Sequence, residues 1–110
     1  MESDAASKFD PYHKWLGIPP SEQPPDHYRL LGVQRFEGDA DVIASAADRQ
    51  MAHLKSFATG AYSTHSQKLL NELAKARICL LNATLKQVYD AELRQSEIVA
   101  VEDVRATADT

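Results

Sequence analysis

Two stretches of this chain repeat apolar side chains at the spacing of an α-helix, and neither can bury its stripe alone. In the first, Ile43, Ala46, Ala47, Met51 and Leu54 share one face, interrupted by Gln50. In the second, Leu70, Leu73, Ala76, Arg77 and Leu80 share one face, with Leu69 and Cys79 alongside. The periodicity predicts amphipathic helices over about residues 41–57 and 66–81. Small alanines in the middle of the first stripe let another helix approach closely, so the two are expected to pair as an antiparallel hairpin. Asp39 or Asp41 is suited to cap the first helix, because a carboxylate there accepts from unpaired first-turn amides and favours the positive helix end. Ser66 is suited to cap the second. Between them the chain loops from Phe57 to about His65, and Gly60 can take the left-handed conformation that closes a helix.

The remaining segments fill in an all-α domain. A fourth helix is expected over about residues 83–95, with Leu85, Val88, Tyr89 and Leu93 as its apolar face. Asn82 can cap it, and Thr84 with Gln87 offers an alternative capping box. A chain of 110 residues is one domain by length. Trimmed of its ends it leaves about seventy residues, near the lower limit for a self-sufficient core. The expected organisation is a disordered lead (1–10), an aromatic and proline-rich arm (11–25), the helical domain (26–95) and a flexible tail or linker (96–110).

The arm, PYHKWLGIPPSEQPP, places Tyr12, Trp15, Leu16 and Ile18 ahead of prolines at 19, 20, 24 and 25. Those prolines favour extended or turn geometry and deny the backbone helical hydrogen bonds. Two readings stand. The apolar cluster caps the domain's own core, or it docks on another domain.

No catalytic or metal-binding constellation is legible. Histidines at 13, 27, 53 and 65 lack the i, i+4 spacing of a helical metal pair and have no cysteine at ligand spacing. Cys79, the one cysteine, lies in an expected core helix, where a thiol behaves as a small hydrophobe. It has no partner for an internal disulfide, which fits a reducing compartment. The four glycines are isolated, so no phosphate-cradling loop exists, and no cofactor is expected. A formal net charge of −4 argues against a nucleic-acid partner. No apolar run approaches a membrane span, the helices lack the basic clustering of an interfacial helix, and MESDAASKFD lacks a signal-peptide layout. The expectation is a cytoplasmic, non-enzymatic chain.

Several quoted segments are similar to a known family. DHYRLLGV, Asp26 to Val33, resembles the opening D-Y-Y-x-x-L-G-V of a J-domain, the helical module that stimulates DnaK-type heat-shock chaperones. SQKLLNELAKARICLLNATLKQVYD resembles the family's F-x-x-I-x-x-A-Y-x-x-L-x-D-P-x-x-R-x-x-Y-D. There Leu70, Leu73, Ala76, Leu80, Asn82, Lys86, Tyr89 and Asp90 fall in register. The resemblance covers roughly residues 26–93. It implies a short first helix that starts on an aromatic and ends at glycine, ahead of the hairpin. The chain also resembles N-terminal J-like segments of large bacterial multidomain proteins, including serine/threonine kinases, in which WLGIPP likewise precedes YxLLG.

The functional signature departs from the family. Where the resemblance requires His-Pro-Asp, this chain reads Lys55-Ser56-Phe57. The preceding helix is slightly acidic, with Asp39, Asp41 and Asp48 against Arg49 and Lys55, whereas the family presents a basic helix to an acidic chaperone surface. Like charge there would repel the usual partner. The resemblance therefore implies a J-like protein-interaction module without conventional chaperone stimulation, recruiting a kinase or other effector. Candidate contact residues are Trp15, Met51, Lys55, Ser56, Phe57 and Tyr62, since an aromatic and a cation near a loop serve well as interface anchors. The plainer alternative is that Phe57 seals the hairpin and Lys55 is merely solvated. A variant co-chaperone and a structural terminal cap without a partner remain alternatives for the whole chain.

Overall fold

The computed structural model describes residues 9–109, with side chains described from residue 9 to 100. The expected disorder of residues 1–8 lies outside the described residues. In chain order come α1 (Pro11–Leu16), a 3-10 turn (Pro20–Glu22), α2 (His27–Leu31), α3 (Ala40–Lys55), α4 (Ser63–Leu81) and α5 (Ala83–Asp109). No strand occurs among the described residues.

The two apolar stripes pair antiparallel. Ser66, near the start of α4, donates to the carbonyl of Leu54 at the end of α3 (2.7 Å). Arg77, near the end of α4, lies 3.6 Å from Asp48, further back on α3. Ile43, Ala46, Ala47 and Leu54 from α3 meet Leu69, Leu73, Ala76 and Leu80 from α4, with Tyr28, Leu30 and Leu31 of α2 closing one side. Each fully buried Leu or Ile in this cluster contributes about 1.5–3 kcal/mol.

The α4 face is turned relative to the expected one. Its buried residues are Ser66, Leu69, Leu73, Ala76 and Leu80, which follow strict i+3/i+4 spacing. Leu70 is only partly buried, and the Arg77 side chain is 40% exposed. Ser66 is not a cap but sits inside the first turn, where its hydroxyl donates to the Leu54 carbonyl, which also accepts from the Phe57 amide (3.0 Å). The helix accordingly starts at Ser63, three residues earlier than expected.

Helix α3 ends two residues early, at Lys55. The Ser56 hydroxyl donates to the carbonyl of His53 (2.6 Å), and Ser56 and Phe57 continue as a turn. Its start agrees with expectation: Asp39 accepts from the amides of Asp41 and Val42. Gln50, the polar interruption of the stripe, lies against α2. A Cβ added to Gly32 (φ +80°) would stand 3.2 Å from the Gln50 amide nitrogen, so this helix-ending position combines a left-handed backbone with a close approach.

The largest departure is α5. It runs to Asp109, where a helix ending near residue 95 and a flexible tail were expected. Lost apolar periodicity signals lost burial, not lost helicity, and residues 96–109 contain neither Gly nor Pro to break the helix. Asn82 caps it by accepting from the amide of Leu85 (2.9 Å), so the Thr84 capping box is not used. The expected apolar face is half wrong, because Leu85 and Val88 are about half exposed. What faces the body is a mixed stripe of Lys86, Tyr89, Asp90, Leu93 and Glu97.

The arm is more structured than its prolines suggest. Asp10 caps α1 by accepting from the amide of His13, and Pro11 occupies the first turn, where its missing amide costs nothing. Gly17 (φ +69°) ends the helix. Tyr12, Trp15 and Leu16 pack against the core, and Ile18 is fully buried. The arm thus folds back onto its own domain.

Candidate functional site

The loop end of the α3–α4 hairpin gathers most of the residues singled out from the sequence. The Trp15 ring stacks on Phe57 with centroids 4.4 Å apart and planes at 11°. Phe9 stacks on Tyr62 (4.3 Å, 24°) and meets Trp15 edge-on at 5.3 Å, which joins the two stacks into one layer. Such pairs each contribute about 0.5–1.5 kcal/mol beyond the area they bury. His53 abuts Phe57 edge-on (5.3 Å), and its Nε2 lies 2.9 Å from the carbonyl oxygen of Trp15. His65 approaches Phe9 at 5.3 Å.

Trp15, Phe57 and Tyr62 are therefore brought together, whereas Met51 and Lys55 lie to one side. They line an open groove of roughly 440 Å³ with Asp48, Ala52 and Arg77. Lys55 and Ser56 are exposed, and the Ser56 hydroxyl is already committed to the end of α3. Phe9, His53 and His65 were missed, while Tyr12 was singled out only as part of the arm's apolar cluster. One signal was available for Phe9: it recurs with Tyr12 and Trp15 every third residue around Asp10-Pro11, a helix-start pair.

Tyr12 pins the other edge of α1. Its hydroxyl donates to Glu72 (2.6 Å), and burial, followed by that hydrogen bond, pushes the phenol up to about 12. Gln23 holds the arm from beneath, donating to Asp10 (2.9 Å) and to the carbonyl of Ile18 (3.1 Å).

A second polar cluster lies where α2 meets α5. The fully buried Tyr28 donates to Asp90, which also pairs with Lys86 (2.8 Å). Burial alone would raise the Asp90 carboxyl, but the hydrogen bonds from Lys86 and Tyr28 outweigh it and hold the group below its ordinary value. The His27 amide donates to the Tyr89 hydroxyl (2.8 Å), and the two rings stack at 4.3 Å. Arg35 bridges Asp26 (2.7 Å) and Glu97 (2.6 Å). No buried side-chain nitrogen or oxygen here lacks a hydrogen-bond partner, so the cluster reads as a latch between helices.

Burial, with Asp90 and Glu92 nearby, pushes the Cys79 thiol up, the opposite of what a nucleophilic thiolate needs. Among the described residues no group of three or more His, Cys, Asp or Glu side chains is placed to hold a metal ion. No helix among them is long and apolar enough to cross a membrane. No protein-family model, curated protein or solved structure matches the chain.

Proposed function

We propose that this chain is a non-catalytic protein-contact module on a J-like helical scaffold, and that it does not stimulate a DnaK-type chaperone in the conventional way. One observation carries this reading. At the hairpin end, where the resemblance requires His-Pro-Asp, Lys55 closes α3 and Phe57 is built into an aromatic layer with Trp15. Aromatic side chains beside an exposed cation are the residue types that anchor protein interfaces. The exposed acids Asp39, which caps α3, and Asp41 and Asp48 within it outnumber Arg49 and Lys55. That slightly acidic balance disfavours an acidic chaperone surface and leaves a kinase or other effector as the better partner.

A structural terminal cap is the second reading, favoured by the arm's packing on its own domain. The variant co-chaperone is the third, and an ATPase assay separates it from the others. With a DnaK-type chaperone from the native organism, the chain is expected to leave the steady-state ATPase rate unchanged. Clear stimulation that Lys55→Ala removes would overturn the proposal and make the loop a substitute for His-Pro-Asp.

A further inference from the structure

We propose that residues 9–16 are a displaceable internal ligand, and that a partner engages Phe57 by placing an aromatic side chain where Trp15 now lies. The inference deepens the contact reading above and rests on it. What carries it is an abrupt change in burial along the arm. No residue of α1 is buried, and a six-residue helix has no stability of its own in water. Two residues beyond its end, Ile18 is fully buried. Between them stands Gly17, in the left-handed region, a residue able to absorb a large change in backbone direction.

The arm is held by partly buried packing of Tyr12, Trp15 and Leu16 on the core and by the ring stacks of Phe9 and Trp15. Hydrogen-bonded contacts add to these: Tyr12 to Glu72, Gln23 to Asp10, His53 with the carbonyl of Trp15, and Arg29 to the carbonyl of Gly17. Opening at Gly17 breaks these and leaves Ile18, α2 and the hairpin core in place. Segments with few buried apolar contacts are those that open locally ahead of the whole fold.

Opening uncovers the faces of Phe57 and Tyr62, flanked by His53 and His65. An exposed lysine borders this surface: Lys68, in the cleft shared by Phe9, Asp10 and His65. Aromatic faces edged by a cation fit a peptide segment that carries an aromatic side chain next to a carboxylate. The arm's own Phe9-Asp10 pair has that chemistry. The arm therefore occupies the surface with a segment resembling the partner it excludes.

The test uses the full chain and a fluorescently labelled peptide with the sequence of residues 9–18. The peptide is expected to bind the Trp15→Ala chain at least about tenfold more tightly than wild type, because a site mostly closed by its own arm loses affinity in proportion to its open fraction. Adding Phe57→Ala should abolish that binding. Equal binding to wild type and Trp15→Ala, or no binding to a Trp15→Ala chain that melts normally, would overturn the proposal. Should Trp15→Ala fail to fold, native-state hydrogen exchange on wild type decides. The Lys14 and Gly17 amides are expected to exchange at least about tenfold faster than that of Leu73, and equal protection would show an arm that does not open. Neither measurement needs the natural partner. Peptide binding with no partner recovered would therefore refute the contact reading and leave the internal ligand standing.

Discussion

Leu73→Ala is expected to destabilise the chain by about 2–5 kcal/mol, read as a lower denaturation midpoint at unchanged slope. Leu73 is fully buried at the centre of the α4 stripe. Several of its neighbours in the same cluster, Ala46, Ala47 and Ala76, are too small to swing into the space it would vacate. The lost transfer energy and the cavity therefore add. Leu85→Ala, on the half-exposed side of α5, should stay within about 0.5 kcal/mol. A loss well under 1 kcal/mol at Leu73 would mean that the hairpin core is assigned to the wrong residues.

The second large effect is expected at Asp90, which no apolar pattern marks. Asp90→Ala removes the acceptor for the Tyr28 hydroxyl and the counter-charge for Lys86. Stranding a buried hydroxyl costs about 1–3 kcal/mol, and the unpaired ammonium adds to it, so about 3 kcal/mol in total is expected. Chemical denaturation at neutral pH measures this. The pH dependence follows from the direction of the shift. The folded carboxyl lies below its unfolded value of about 3.9, so its contribution is present above that pH and is lost as pH falls through the folded value. Wild type should lose stability steeply below about pH 4, whereas Asp90→Ala should be flatter there. Parallel curves for the two chains would remove Asp90 from the account.

How much of this was legible depends on which force sets each feature. The hairpin was readable because burial imposes a period on α3 and α4. The start of α4 was read three residues late because Ser66 looks like a cap, while its hydroxyl is in fact spent on the Leu54 carbonyl. The inner stripe of α5 was unreadable as an apolar pattern because much of it is polar and satisfied by Tyr28 and Arg35. Its extension to Asp109 needed only the absence of breakers, which periodicity does not weigh. At the candidate site, Trp15, Phe57 and Tyr62 were each visible as residue types. Their layering was not, because it depends on a tertiary fold-back of the arm. Phe9 sat in a polar lead, where only its three-residue spacing from Tyr12 and Trp15 marked it.

The central claim is that the hairpin end is a protein-contact surface that does not serve a DnaK-type chaperone. Its most direct test is a pull-down from lysate of the native organism. Wild type is run beside a Lys55→Ala, Phe57→Ala double variant of matched melting temperature, and retained proteins are identified by mass spectrometry. The account predicts a non-chaperone protein, such as a kinase, held by wild type and lost from the variant. Retention of the DnaK-type chaperone by wild type alone, or identical sets of proteins from both chains, would contradict it.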